Sequence, residues 1–180
     1  MIMKRILFLF IVITFSAANT ILIPEDYATI QEGINAAIEG DTVLVGAGTY
    51  SPLTNSEVFP IEMVSGIHLI GSGEYVSIID AQQTGRAITM EGCDNNIISN
   101  LTLTGGLSDS YGGGIRLSSS NPILTNVTIS NNTANWGGGM HLDYSNPTLT
   151  NVTISNNQAN QGGGMRLVDS DMILTNVTIT

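Results

Sequence analysis

The sequence predicts an all-β solenoid, a parallel β-helix with three short strands and about 25 residues in each coil. The first observation is a repeat: Asn126, Asn151 and Asn176 occupy equivalent positions in nearly identical segments, as do Gly137 and Gly162. The second is an alternation of apolar and polar residues within each segment, which is typical of strands. A repeat of this length indicates stacked layers, none of which buries its apolar face alone.

Each repeat divides into short apolar segments separated by residues that favour bends. Val127–Ser130 and Met140–Asp143 alternate as strands do, and Ile123 with Leu124 forms a third, shorter piece. Asn, Gly, Ser and Pro favour bends between such segments. The predicted bends lie at Asn126, at 131–138 and at 145–147. The side chains expected to point inward are Leu124, Val127, Ile129, Met140 and Leu142.

The asparagines of the first bend have two interpretations. Stacked Asn126, Asn151 and Asn176 suit a ladder, because each amide donates to one neighbour and accepts from the other. Each also begins an Asn-Val-Thr glycosylation acceptor. A bend between two strands leaves little room for a glycan, and this favours the ladder.

A leucine-rich repeat is the competing fold, since Leu124, Val127, Ile129 and Asn132 fit its spacing. That fold needs a helix or a comparable apolar segment in the second half of the repeat. Here that half contains the triplet 137–139 of glycines and a strand-like alternation. Glycine costs roughly 1 kcal/mol per residue in a helix interior. The parallel β-helix is therefore the prediction.

The N-terminal segment Met1–Ala18 has the pattern of a secretory signal peptide, with a predicted cut after Ala18. Lys4 and Arg5 precede an apolar run, and small residues follow it. The run is short for a membrane span. We therefore expect an exported mature chain, 19–180, that forms one domain without a membrane span.

One segment, 29–39, has helical rather than strand spacing. Its apolar stripe consists of Ile30, Ile34, Ala37 and Ile38. Thr29 and Glu32 can form a capping box, and Gly40 predicts the C-terminal stop. We expect this helix to cap the first coil, and a strand, Thr42–Val45, to follow.

The regular repeats occupy 95–180, and the strand register between Pro60 and Asn95 stays open. Thr180 falls within an unfinished layer, which leaves a strand edge uncovered. We therefore expect the natural protein to continue beyond this residue.

Charge and cysteine content narrow the function classes. After the predicted cut, the chain keeps three basic residues, Arg86, Arg116 and Arg166, and all fifteen acidic residues. Such a balance disfavours nucleic acid and anionic membranes as partners, and a polyanionic ligand would need a bridging cation. Cys93 is the single cysteine, so no intrachain disulfide is possible, and a small buried side chain is the expected role.

Three stretches carry a family resemblance. TIQEGINAAIEGDTVLVGAGTY resembles the N-terminal cap of secreted bacterial right-handed β-helix proteins of the pectate-lyase-like superfamily. The stretch after it, with Glu57, Phe59 and Pro60, resembles a domain of unknown function, although Ser56 replaces the usual glycine. The later repeats resemble those of polymorphic outer-membrane adhesins, with Gly139 in place of an alanine. The resemblance implies a right-handed β-helix. It does not select an activity, because this architecture carries lyases, hydrolases, epimerases, adhesins and surface spacers.

The candidate site is a column of outward residues. If Met140 and Leu142 point inward, His141 points outward together with its equivalents Arg116 and Arg166, spaced by about 4.8 Å. The resemblance implies that such a row binds extended polysaccharide and that an arginine there serves as the base for β-elimination. The alternative is that each cation is a solvated side chain beside a neighbouring acid, and the sequence favours this alternative.

Two further sets of residues are candidates for binding. Asp143, Asp169 and Asp171 offer oxygens to Ca²⁺, although they lie in different parts of the repeat. Tyr111, Trp136 and Tyr144 lie beside the glycine triplets, where they either stack on sugar rings or fill a bend.

Several catalytic patterns are missing. No adjacent Asp-Asp pair occurs, which a polygalacturonase-like site would require. The glycine triplets lack the following Lys-Ser/Thr of a phosphate loop.

The sequence as a whole predicts a secreted or cell-surface solenoid that is not an enzyme. We expect it to bind a polysaccharide, a cell-surface glycan or a surface protein of a host or neighbouring cell, without a cofactor. The alternative is a polysaccharide lyase or glycoside hydrolase that acts on an extended acidic polysaccharide through Arg116, His141 and Arg166, with Ca²⁺ if it is a lyase.

Overall fold

The computed structural model describes residues 17–180, and the predicted signal peptide lies outside this range except for Ala17 and Ala18. The chain forms about six coils of a parallel solenoid. Its elements are β1 (Thr20–Ile23), α1 (Ile30–Ala36), β2 (Thr42–Val45), β3 (Gly48–Tyr50), β4 (Ile61–Glu62), β5 (His68–Gly71), β6 (Ser77–Asp80), β7 (Ile88–Glu91), β8 (Ile97–Thr104), β9 (Leu107–Tyr111), β10 (Ile115–Ser118), β11 (Ile123–Ser130), β12 (Thr133–Trp136), β13 (Met140–Asp143), β14 (Thr148–Ser155), β15 (Gln158–Gln161), β16 (Met165–Val168) and β17 (Ile173–Ile179).

The strands form three parallel sheets, one for each side of the coil. The first sheet has nine strands, ordered β1-β2-β5-β8-β11-β14-β17, with β3 and β6 beside this path. The second sheet has the order β16-β13-β10-β7-β4, and the third has β15-β12-β9. Residue pairs such as Val127–Val152 and Val152–Val177 confirm that each coil stacks in register on its predecessor.

The predicted core is confirmed. All five side chains expected to point inward are fully buried: Leu124, Val127, Ile129, Met140 and Leu142. They belong to one cluster that also contains Cys93 and, two coils before Met140 and Leu142, Ile88 and Met90. Burial of this apolar cluster supplies the main attraction between the sides of each coil.

The strand prediction was partly wrong. The two pieces expected on either side of Asn126 are one strand, β11, which kinks where Asn126 adopts a φ of 54°. The stretch predicted as a single long bend, 131–138, contains the further strand β12, in which Ala134 points inward. An alternation of small and polar residues carries too little hydrophobic contrast to predict this strand.

The asparagine ladder is present as predicted. Asn126 Nδ2 donates to Asn100 Oδ1 at 3.0 Å, and Asn151 Nδ2 donates to Asn126 Oδ1 at 3.1 Å. Asn176 continues the ladder to Asn151 at 2.8 Å. The kink is therefore tied from coil to coil by side chains as well as by the backbone.

The glycine triplets lie where coils approach most closely. A Cβ on Gly113 would stand 2.7 Å from the carbonyl oxygen of Gly138, and one on Gly138 would stand 2.6 Å from that of Gly163. Because real Cβ atoms do not approach backbone oxygen so closely, only glycine fits. This confirms that the triplets are tight bends rather than a ligand loop.

The helix is shorter than predicted. It ends at Ala36, because Ala37 is extended and the Asp41 carboxylate accepts the Ile38 N–H at 2.9 Å. As a result Ile38 is exposed rather than packed. The capping box of Thr29 and Glu32 is confirmed.

A residue distant in sequence also caps the helix. The buried Glu57 carboxylate accepts the N–H groups of Ile30 at 2.7 Å and Gln31 at 3.2 Å. The helix packs on β1, since a Cβ on Gly33 would lie 2.7 Å from Ile23 Cδ1.

Among residues 17–180 no helix has the length and apolarity of a membrane span.

Candidate functional site

The predicted column lies on the outer side of the second sheet. Thr89, Arg116, His141 and Arg166 pair in succession through β7, β10, β13 and β16, and Glu62 of β4 pairs with Thr89. Their chain neighbours Ile115, Leu117, Met140 and Leu142 fill the core. The pleat therefore turns this column outward, at about 4.8 Å per coil.

Arg116 is paired with an acid of the preceding coil. Its Nη1 binds Glu91 Oε1, and the Glu91 side chain remains 60% exposed. The Nε atom of Arg116 is buried and has no hydrogen-bond partner among the described residues. The guanidinium thus keeps unused donor capacity beside the column.

His141 differs from the prediction. It lies on the outer side of the sheet but is only 3% exposed, because the Tyr111 ring covers it at a centroid distance of 4.6 Å. Its buried Nδ1 has no hydrogen-bond partner in the described part of the chain. The interpretation of three solvated cations is therefore wrong for this residue.

The imidazole of His141 is neutral at physiological pH. Its pKa is lowered to about 4, first by burial and then by the Arg166 and Arg116 guanidiniums, while Asp143 acts in the opposite direction. Its charge is unfavourable because solvent is displaced and two cations lie close by. The column therefore presents a neutral ring between two arginines.

Arg86 was not predicted as part of the site. Its guanidinium donates to the carbonyl oxygens of Tyr111 and Gly112 at 2.6 Å, to Thr89 Oγ1 at 2.9 Å and to Ser108 Oγ at 3.3 Å. Burial and the nearby Arg116 charge lower its pKa to about 10. Ile88 pairs with Ile115, and Arg86 is therefore the equivalent of Gly113. A sequence alignment of this irregular coil with the later coils would have placed Arg86 beside the column.

Two cavities meet at Arg116 and form a groove along the second sheet. The first, of about 380 Å³, is lined by Pro60, Glu62, Met63, Arg86, Thr89, Glu91 and Arg116. The second, of about 250 Å³, is lined by Tyr111, Arg116, His141, Asp143, Arg166 and Val168. We call the two together the arginine groove.

The aromatic candidates separate into two places. Tyr111 and Trp136 stack at 5.0 Å in successive coils of the third sheet, and Tyr111 forms one wall of the arginine groove. Tyr144 follows β13 and is 62% exposed, and the neighbouring Asp169 raises its pKa by charge and by a hydrogen bond.

The acidic candidates are not assembled into a cluster. Asp143 lines the arginine groove, Asp169 interacts with Tyr144, and the backbone N–H of Asp171 donates to Asn146 Oδ1 at 2.7 Å. Within residues 17–180, no three His, Cys, Asp or Glu side chains are grouped so that they could hold a metal ion. The residues present therefore do not fit the calcium site considered from the sequence.

The family model "Right handed beta helix region" matches residues 64–180, which is more than half of the chain. The chain belongs to the right-handed β-helix family. The match begins after β4 and includes the column from Thr89 to Arg166.

A solved structure shares this right-handed β-helix. It is a mutant of pectin methylesterase in complex with a hexasaccharide, with a TM-score of 0.51 and 13% sequence identity over 89% of this chain and 67% of that chain. At this identity the likeness shows the fold alone. A search of curated proteins gives no match.

Proposed function

We propose that this protein is a non-catalytic β-helix, secreted or held at the cell surface, that binds an extended acidic polysaccharide in the arginine groove. One observation carries the proposal: all three arginines of residues 17–180 line or border this groove, although the chain has fifteen acidic residues. Such segregation of charge favours an anionic ligand at one surface.

The polar atoms of the groove suit acidic sugars. Arg116 and Arg166 present guanidinium groups, whose planar forks match carboxylates, and Arg116 Nε has no protein partner. Neutral His141 accepts or donates a hydrogen bond without adding charge. The similar fold of pectin methylesterase was solved with a hexasaccharide bound, and this supports sugar binding by such a scaffold.

A second candidate function is β-elimination from a uronate polymer. The observation in its favour is that the imidazole of His141 is unprotonated at neutral pH and lies between two arginines. In that reaction the proton beside the uronate carboxylate moves to the imidazole, the bond to the leaving oxygen breaks and a carbon–carbon double bond forms.

The test incubates the protein with polygalacturonate and with the same polymer after reduction of its carboxyl groups. We expect binding, measured by calorimetry, to the acidic polymer alone, because the guanidiniums require a carboxylate partner. The ultraviolet absorbance of unsaturated uronate is followed in the same samples, with Ca²⁺ or with a chelator. Equal binding of both polymers would contradict the proposal. Sustained turnover would replace it with the lyase.

A further inference from the structure

The arginine groove contains acids as well as arginines, and two of its three acids lie in the first cavity. The first cavity contains the carboxylates of Glu62 and Glu91 together with Arg86 and Arg116. The second has Arg116 and Arg166 around neutral His141, with Asp143 as its acid. Glu62 is exposed, and its carboxylate has no hydrogen bond or ion pair within residues 17–180. The groove is therefore not a uniformly basic surface.

A chain that also carries positive groups matches the first cavity better than a uniformly anionic chain does. A uniformly anionic chain would bring its carboxylates beside Glu62 and Glu91, where like charges repel and no described side chain binds the Glu62 carboxylate. A ligand with a positive group at that end would instead meet the free Glu62 carboxylate and the Glu91 carboxylate, which also binds Arg116. The unpartnered Nδ1 of buried His141 and the unpartnered Nε of Arg116 show that polar capacity is also unused at the other end.

We propose that the groove recognises a zwitterionic polysaccharide, one that carries both amino sugars and acidic sugars. Its protonated amino group lies between Glu62 and Glu91, and its acidic group lies between Arg116 and Arg166. This inference rests on the proposed binding of an acidic polysaccharide and specifies its class.

The coil spacing sets the length of this ligand. Glu62 and Glu91 belong to successive coils, and His141 marks the middle of the arginine pair in the later coils. The middle of the acidic pair and the middle of the arginine pair are thus about 12 Å apart along the solenoid axis. A disaccharide is too short to reach both ends, so we expect affinity to require a longer oligosaccharide.

The test compares two forms of one polymer, heparosan with its amino sugars N-acetylated and heparosan with the same amino groups freed. The full chain is titrated with each polymer near neutral pH. We expect the free-amine form to bind at least tenfold more tightly, since an ammonium group meets two carboxylates. Glu62→Gln should reduce this preference, because it removes one of the two carboxylates. Glu25→Gln, an equal change of charge outside the groove, should retain the preference.

The outcomes separate this inference from the proposed function. If both forms bind equally, the binding of acidic glycan stands and the zwitterionic preference is overturned. If neither form binds and polygalacturonate does not bind, both proposals fail. If Glu62→Gln keeps the full preference for the free amine while it retains the wild-type circular dichroism spectrum, the assignment of the amino group to this site is wrong.

Discussion

At the scale of single residues, the protonation of His141 in the candidate site affects the stability of the fold. A buried neutral imidazole between Arg116 and Arg166 resists protonation, and its pKa of about 4 lies below the value of about 6.5 expected in the unfolded chain. The unfolded state therefore binds more protons between these two values. Folding stability is fully present above the higher value and is lost as the pH falls towards the lower one.

This predicts a specific loss of stability in acid. The free energy of unfolding, measured with urea, should fall between about pH 6.5 and about pH 4 by at most about 3 kcal/mol on account of this residue. His141→Gln should remove that part of the decrease. Arg166→Gln should reduce it, because the loss of a neighbouring cation raises the histidine pKa. An unchanged pH dependence in His141→Gln would contradict the assignment.

The sequence predicted the position of His141 but not its burial. Alternation alone placed it in the outward column with Arg116 and Arg166. Its cover comes from Tyr111, one coil earlier, at the end of a strand in the third sheet. That contact depends on the geometry of the glycine bends between the second and third sheets. The alternation of apolar and polar residues does not predict this geometry. Arg86 was missed because its coil lacks the glycine triplet.

At the scale of elements, the kink of the first sheet depends on the asparagine ladder. Asn126 adopts a positive φ, donates to Asn100 and accepts from Asn151. The sequence predicted this ladder from the repeat alone. The sequence could not predict β12, because this strand has few apolar side chains. It is held instead by backbone hydrogen bonds to β9 and β15.

Two substitutions separate the ladder from the backbone conformation. Asn126→Gly should keep the kink and lose two side-chain hydrogen bonds, at a cost of about 1–2 kcal/mol in unfolding free energy. Asn126→Ala should cost about 1 kcal/mol more, because a Cβ disfavours this φ. Thermal or urea unfolding of both variants measures the difference. Equal stability of the alanine and glycine variants would show that the positive φ at this position costs an alanine no free energy.

At the scale of the whole molecule, the proposed function depends on where the few cations lie. Stacked coils bring arginines from distant parts of the sequence to one side of an acidic solenoid, and the groove between Glu62 and Arg166 follows its axis. The fold was predictable because the repeat specifies it coil by coil. The groove was only partly predictable, since the early coils that supply Glu62, Arg86 and Glu91 have irregular sequence.

The measurement that tests this account most directly is the affinity of two variants with the same change in net charge. Arg166→Gln removes a cation from the arginine groove, and Gln158→Glu adds an acid on the exposed third sheet. In titrations with an acidic polysaccharide, we expect Arg166→Gln to weaken binding about tenfold or more, because a charge-assisted hydrogen bond is lost, and Gln158→Glu to bind like the wild type. Equal weakening in both variants would show that net charge alone governs binding and would contradict the site.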